Sequence, residues 1–274
     1  MNAEVAPPRQ LRAAVLAAAL DRRPAGYPDP QALPVAAAPY AAEVAKFDTL
    51  LREITAEEWA VRVLGEMTAK QLVEHLTAND ISLAATLQVR ASVEDPVQSP
   101  PNPAHRAWRA SAFALLRHAL GAGLDDVIEM AGLRMPIRSA YLGRAFETWI
   151  HGDDIRLRVG RQADPPAPQH LHPLADLHVR SLPIALRLSG RGQPGRSAHV
   201  ILTGHGGGEW LIPLGAGPAG RSPDGPDVTI TADVLEFCYL AANRRSLDAV
   251  PHTVTGDPAL AADLFAVMTF FSHE

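Results

Sequence analysis

Hydrophobic residues in the first 160 positions recur at steps of three and four, the spacing of one face of an amphipathic helix. Thr68 and Gln71 match a capping box at the start of one such segment, and Gly160 is placed to end another. Four long helices with intervening loops predict a helical bundle, preceded by a short amphipathic segment at residues 11–22. The four segments are residues 39–54, 68–89, 104–120 and 137–159.

The pattern changes beyond residue 162, where the prolines of residues 162–168 indicate a domain boundary. Short runs of the β type follow and alternate with helical segments. We therefore predict an α+β protein with two domains: a four-helix bundle over residues 1–162 and a smaller α/β domain over residues 168–274. The predicted strands are residues 199–203, 209–214, 228–231 and 250–255, the first two forming a hairpin, and the predicted helices are residues 170–188, 232–243 and 259–270.

Composition and charge narrow the class of protein. The chain has 274 residues, of which 47% are hydrophobic and 20% charged, as in globular proteins. Its formal net charge of −5 indicates no basic surface for nucleic acid or anionic lipid. The lone cysteine, Cys238, cannot form an internal disulfide, and no apolar run reaches the length of about 18 residues that a membrane span needs. We therefore expect a cytoplasmic protein with neither nucleic acid nor a membrane as its partner.

The candidate chemistry lies in the fourth predicted helix. Arg144, Glu147, His151 and Asp154 follow one another at steps of three and four, which places them on one face. A carboxylate and an imidazole at this spacing can share a metal ion, and Asp154 can orient a ligand or bind substrate. The same residues would also suit a solvated surface, although apolar residues occupy much of the circumference of this helix.

His75 offers a further ligand from the second predicted helix. It lies beside apolar Leu72 and Leu76, so a core or surface histidine is the plain interpretation. A bundle, however, can bring His75 opposite Glu147 and His151. Two histidines and one carboxylate with open positions are the ligands of catalytic zinc sites and of non-haem iron sites. These residue types do not separate zinc from iron, nickel or manganese.

The motifs around these residues resemble a known family. TAKQLVEHL at residues 68–76 and RAFETWIHGDD at residues 144–154 look like the mycothiol-dependent maleylpyruvate isomerase family, the metal-binding branch of the DinB-like four-helix bundles. In that family the second half is a smaller α/β domain similar to sterol carrier protein 2, which is called SCP2-like. The similarity continues in VTIT at residues 228–231, NRR at residues 243–245 and VTGDPAL at residues 254–260.

The resemblance implies a metal site and a thiol cofactor. A divalent metal, usually zinc, would be held by His75, Glu147 and His151. Mycothiol would supply the sulfur that is activated near this metal. Thiolate is the nucleophilic form of a thiol, and its addition to a cis double bond conjugated to a carbonyl allows rotation and re-expulsion, which is isomerisation.

The resemblance also points to the arginines near the end of the predicted helix 232–243. Arg244 corresponds to an arginine to which the family pattern gives carboxylate binding or catalysis, and Arg245 beside it is a second candidate for binding the cofactor. Asn243 stands where the pattern has a glycine, so we expect a different local turn. We predict Arg244 and Asp154 as catalytic residues.

These patterns together predict a metal-dependent, thiol-using isomerase or S-transferase. Its partners would be a low-molecular-weight thiol and a small electrophile, and we expect a monomer or homodimer. Two alternatives stay open: a metal-dependent hydrolase, in which the metal activates water, and a protein that binds a metal or ligand without catalysis. Activity without added thiol would distinguish the first alternative, and ligand binding without turnover the second.

Overall fold

The computed structural model describes residues 32–89, 100–130, 132–215 and 225–272, so the predicted segment at residues 11–22 lies outside the described residues. The four long helices of the first half are confirmed. The hydrophobic stripe of each helix faces the others and forms their common core. They are α1, Ala38–Glu53; α2, Ala69–Thr86; α3, Pro103–Ala119; and α4, Ile137–Arg158.

Local signals fix where these helices begin and end. The Thr68 hydroxyl accepts from the backbone N–H of Gln71, whose side chain accepts from the backbone N–H of Thr68, so the predicted capping box at α2 is confirmed. Gly160 follows α4 with φ +74°, a conformation that favours glycine. Pro136 directly precedes α4 as its N-cap. It also ends the second strand of a hairpin between β3, Val127–Met130, and β4, Leu133–Pro136.

Large aromatic side chains fill the interior of the helical half. Helix α1 packs mainly against α4, and α2 packs mainly against α3. The rings of Phe47 and Trp108 meet edge to face with centroids 4.8 Å apart, and those of Tyr40 and Tyr141 do so at 5.9 Å. A second, very short hairpin between β1, Arg62–Leu64, and β2, Met67–Thr68, joins α1 to α2 and was not predicted.

The second half contains helices and a four-stranded sheet, as predicted. The elements are α5, Pro168–Leu188; β5, Ser197–Thr203; β6, Gly208–Pro213; β7, Val228–Asp233; α6, Val234–Ala241; β8, His252–Gly256; and α7, Pro258–Ala266. The strand order is β6-β5-β7-β8: the predicted hairpin β5–β6 is antiparallel, β7 runs parallel to β5, and β8 is antiparallel to β7.

Helix α5 packs against α4 on the helical side and against β6 and α6 on the sheet side. The indole N–H of Trp210 on β6 donates to Asp176 on α5 at 2.7 Å, which fastens the sheet to this helix. The α+β class is thus confirmed, whereas the division at residues 162–168 stays a prediction. Among the described residues, no helix is long and apolar enough to cross a membrane. Cys238 on α6 is buried, and this burial raises the pKa of its thiol.

Candidate functional site

Helices α2 and α4 bring the three predicted ligands into one neighbourhood. The rings of His75 and His151 lie edge to face with their centroids 5.6 Å apart. The Asn79 side-chain nitrogen is 2.9 Å from Oε2 of Glu147, to which it donates, and 3.2 Å from Nε2 of His75. His75, one helical turn before Asn79, therefore faces the same space as Glu147 and His151.

Glu147 is held as a carboxylate. Burial alone would raise its pKa, but the Arg144 guanidinium and the hydrogen bond from Asn79 outweigh burial and hold the pKa below the usual range. Arg144 donates from Nη1 to Oε2 of Glu147, one helical turn away on α4. The anionic form is the form that binds cations.

A buried ion pair lies behind Glu147. Nε of Arg144 donates to Oδ1 of Asp80 at 2.7 Å, and the Tyr40 hydroxyl donates to the same oxygen at 3.0 Å. Asp80 is completely buried, and this burial raises the pKa of its carboxyl although Arg144 opposes the shift. These contacts join α1, α2 and α4 and fix the orientation of Arg144 beneath the site.

Asp80, Asn79 and Tyr40 were not predicted as parts of this site. One signal could have found Asn79: it lies four residues after His75, so a helix carrying His75 inward directs it to the same side, whereas Asp80 lies a further 100° around the helix. Tyr40 carries no comparable signal, because its contact with Asp80 depends on how α1 packs on α2.

Asp154 orients the imidazole of His151. The Nδ1 atom of His151 lies 3.0 Å from Oδ2 of Asp154. Burial would raise the pKa of Asp154, but the hydrogen bond to His151 and the contact with Arg244 lower it, so Asp154 is anionic and accepts. With the proton on Nδ1, Nε2 is the ring nitrogen that would present a lone pair to a metal, the usual arrangement of metal-binding histidines.

Arg244 reaches this site from the second half of the chain. Its Nε and Nη2 atoms donate to the two carboxylate oxygens of Asp154 at 2.8 and 2.7 Å, a bidentate pair. Its Nη1 atom donates to the carbonyl of Ala242 at 2.8 Å. Arg245 instead lies over the ring of Tyr239, 5.3 Å from its centroid, with 46% of its side chain exposed. The structure thus brings Arg244 to Asp154 and leaves Arg245 on the surface of α6.

The turn that carries Arg244 is one that a glycine would also make. The expectation that it differs from the turn of the family stays a prediction. Asn243 has φ +59°, in the left-handed region. The N–H of Arg244 donates to the carbonyl of Tyr239 at 2.8 Å and the N–H of Asn243 to that of Leu240 at 3.0 Å, which is a Schellman motif. Asparagine is tolerated there because its short polar side chain favours this conformation more than other side chains do.

The donor chemistry of His75, Glu147 and His151 fits a divalent metal, since it comprises two imidazoles and one carboxylate. Their arrangement is not that of a formed site. No group of three or more His, Cys, Asp or Glu side chains within residues 32–89, 100–130, 132–215 and 225–272 is placed to hold a metal ion. The Glu147 carboxylate is bonded to Arg144 and Asn79 instead.

The chain was compared with known protein families, proteins and structures. No family model matches the chain. Two uncharacterized proteins of Mycobacterium tuberculosis, from strains CDC 1551 / Oshkosh and ATCC 25618 / H37Rv, are each 24% identical over 238 residues, covering 80% of this chain and 88% of the relative.

Two solved structures share its fold. The crystal structure of the mycothiol-dependent maleylpyruvate isomerase is 16% identical with a TM-score of 0.51, and that of a histidine-to-alanine mutant of the same enzyme is 15% identical with a TM-score of 0.50. Each match covers 82% of this chain and 95% of the solved one. The chain therefore has the fold of the mycothiol-dependent maleylpyruvate isomerase, as the sequence resemblance implied. The assignment of its halves as a DinB-like bundle and an SCP2-like domain stays a prediction.

Proposed function

We propose that the protein is a mycothiol-using isomerase or S-transferase that acts on a small electrophile at the site of His75, Glu147 and His151. The observation that carries the proposal is the meeting of these three side chains across α2 and α4, with the histidine rings 5.6 Å apart, in a chain with the fold of an enzyme that depends on mycothiol.

The charges of the site favour a bound cation. Arg144 is shared between Asp80 and Glu147, and Arg244 pairs with Asp154. Two guanidiniums therefore face three carboxylates. We propose that His75, Glu147 and His151 hold a divalent metal, with zinc as the first candidate. When bound, this metal would supply the positive charge that lowers the pKa of a thiol.

The residues of the chain prepare this site. Asp154 keeps the proton of His151 on Nδ1, so that Nε2 is a lone-pair donor. Arg144 keeps Glu147 ionised. For binding, Glu147 must exchange its hydrogen bonds from Arg144 and Asn79 for the cation, and Arg144 then retains Asp80 as its partner.

The reaction conserves atoms and electrons. The thiolate sulfur forms a bond to one carbon of the cis double bond, and the electron pair of that double bond moves to the conjugated carbonyl oxygen. Rotation about the resulting single bond and expulsion of the thiolate restore a double bond of trans geometry. An S-transferase would stop after the addition, with the resulting enolate taking up a proton from water, or would displace a leaving group instead.

The test compares the wild type with His75→Ala and His151→Ala, and with His199→Ala on β5 as a matched histidine outside the site. We expect about one equivalent of metal by mass spectrometry in the wild type and in His199→Ala, and little in the other two. Isomerisation of maleylpyruvate should require mycothiol and fall with the metal content.

Each alternative has its own result in this test. Turnover of an ester or amide without thiol would favour the metal-dependent hydrolase. Metal bound by the wild type without turnover of any electrophile would favour a binding protein. Equal, negligible metal in all four proteins would refute the proposed metal site.

A further inference from the structure

Tyr239 contacts α4 through its side chain and the turn that carries Arg244 through its backbone. Its hydroxyl donates to Oδ2 of Asp153 on α4 at 2.9 Å, in a buried contact. Its carbonyl accepts the N–H of Arg244 at 2.8 Å in the Schellman motif described above. The residue that anchors α6 on α4 is therefore also the residue that caps the turn carrying Arg244.

The acceptor on α4 is a fixed one. Asp153 is 2% exposed, and its carboxylate also accepts from the indole N–H of Trp149 and the backbone N–H of Asp164, both at 2.8 Å. The next residue along α4 is Asp154, the partner of Arg244. Two adjacent carboxylates thus receive two groups from the end of α6, one from Tyr239 and one from Arg244.

We propose that Tyr239 is a positioning residue for Arg244: its hydroxyl sets the end of α6 against Asp153, so that the turn delivers the guanidinium to Asp154 and thereby to His151. This inference rests on the proposed function in that it gives Arg244 a place in the working site. The positioning itself is a property of the structure, and it can be measured without turnover.

Packing of the Tyr239 ring would not by itself place Arg244. The ring lies 5.5 Å from that of Trp149 and beneath the guanidinium of Arg245, and phenylalanine would preserve both contacts. The variant Tyr239→Phe removes only the hydroxyl. The variant therefore distinguishes the effect of the hydrogen bond to Asp153, which positions the end of α6, from the effect of ring packing in the core.

The experiment measures the reaction of individual arginines with phenylglyoxal by mass spectrometry of peptides. In the wild type, Arg244 should react slowly, because 15% of its side chain is exposed and its N–H groups are engaged, whereas Arg245 should react fast. In Tyr239→Phe we expect Arg244 to react about tenfold faster, the factor that corresponds to losing a hydrogen bond to a charged group. The rate at Arg245 should hardly change.

Tyr141→Phe is the matched control. It also removes a buried tyrosine hydroxyl, one that donates to the carbonyl of Leu115 at 2.7 Å within the helical half. The reactivity of Arg244 should stay at the wild-type value in this variant. An Arg244 rate in Tyr239→Phe equal to that in Tyr141→Phe would overturn the proposal.

A second variant decides the matter if Tyr239→Phe does not fold. Asn243→Ala disfavours the left-handed residue of the same turn while leaving the core untouched. Faster modification of Arg244 would support the part of the proposal in which the turn delivers the guanidinium. An unchanged rate would overturn the proposal, because the proposal requires this turn. Where isomerase or S-transferase activity is present, Tyr239→Phe should also lower kcat/KM. Absence of both activities from the wild type would refute the proposed function and leave the modification result standing.

Discussion

The guanidinium of Arg144 lies inside the helical half between Asp80 on α2 and Glu147 on its own helix. A charge so placed is stable only because its partners are charged and correctly oriented. Removing one partner of a buried ion pair lowers the stability of a protein more than replacing both partners by apolar residues does, because the remaining charge stays buried without compensation.

The variant Arg144→Met should therefore lose about 3–5 kcal/mol of the free energy of unfolding, measured by urea denaturation. Arg62→Met is the matched control, since Arg62 forms an ion pair with Glu66 in which both side chains are mostly exposed. We expect a change of about 1 kcal/mol or less for this control. Equal losses in the two variants would contradict the role given to the buried pair.

Glu43 on α1 is a second buried acid, and it titrates differently. It is 1% exposed, and burial raises its pKa from 4.5 to about 7, although Lys46 beside it lowers the value. Asp164 and Arg156 also face it, with opposite effects. Because the folded state holds the proton more tightly than the unfolded state does, Glu43 favours folding at low pH, and this contribution is lost as the pH rises towards 7.

Glu43→Gln should remove this dependence. At about pH 8 the variant should be more stable than the wild type by up to about 3 kcal/mol, and at about pH 4 it should match it. Glu53→Gln, on the same helix with 57% of its side chain exposed, is the control and should follow the wild type at both pH values. A constant difference between Glu43→Gln and wild type across this range would be inconsistent with the raised pKa.

At the residue scale, the sequence predicted those members of the site that lie on the same helix. Glu147, His151 and Asp154 follow from helical spacing alone. Tyr40 and Asp80 could not be predicted, because 40 residues separate them and only the packing of two helices brings them together. The predicted roles in metal binding and catalysis stay predictions.

Among the elements, the long helices are predictable because their signals are local. The capping box of Thr68 and Gln71 is contained in four residues and stabilises the start of α2 whatever lies around it. The strands β1 and β2 have three and two residues, too few to show a period of two, so no pattern indicates them.

The cap allows a direct comparison of two threonines. Thr68→Ala removes the N-cap side chain of α2 and should lower the free energy of unfolding by about 1 kcal/mol. Thr49→Ala, at an exposed position inside α1, replaces threonine by a better helix former and should leave stability unchanged or raise it by a few tenths of a kcal/mol. Thermal unfolding followed by circular dichroism measures both, and a loss of equal size at Thr49 would refute the assignment of the effect to the cap.

At the scale of the whole molecule, the mixed sheet shows which strand pairings can be predicted from the sequence and which cannot. The hairpin β5–β6 has a short glycine-containing connection and is therefore predictable. The parallel pairing of β5 with β7 joins strands that are distant in sequence, and tertiary packing alone determines it. The contacts of Asp153 and Asp154 with the end of α6 are of the same kind.

Asp153 gives a test of how firmly the two halves act as one unit. We expect wild type to unfold in a single calorimetric transition. Asp153→Ala, which leaves the donors of Trp149 and Tyr239 unpaired, should unfold in two, the first about 10 °C lower. Two transitions would also support the predicted division at residues 162–168.

Asp164→Ala supplies the comparison, because its half-exposed carboxylate makes ion pairs at 3.4 and 3.5 Å while its backbone N–H, which Asp153 accepts, is retained. It should unfold once, near the wild-type temperature. A single transition at the wild-type temperature in Asp153→Ala would show that other contacts couple the halves.

The carboxylate of Asp154 serves His151 with one oxygen and Arg244 with both, so the first half of the chain and the second half meet on one group. If a molecule binds His151 more tightly while Arg244 is paired with Asp154, its binding must stabilise the pair of Arg244 and Asp154 by the same free energy. Ligand binding at the site and association of the two halves would then be coupled. A bound ligand would raise the force needed to separate the two halves, and a force that separates them would in turn favour release of the ligand.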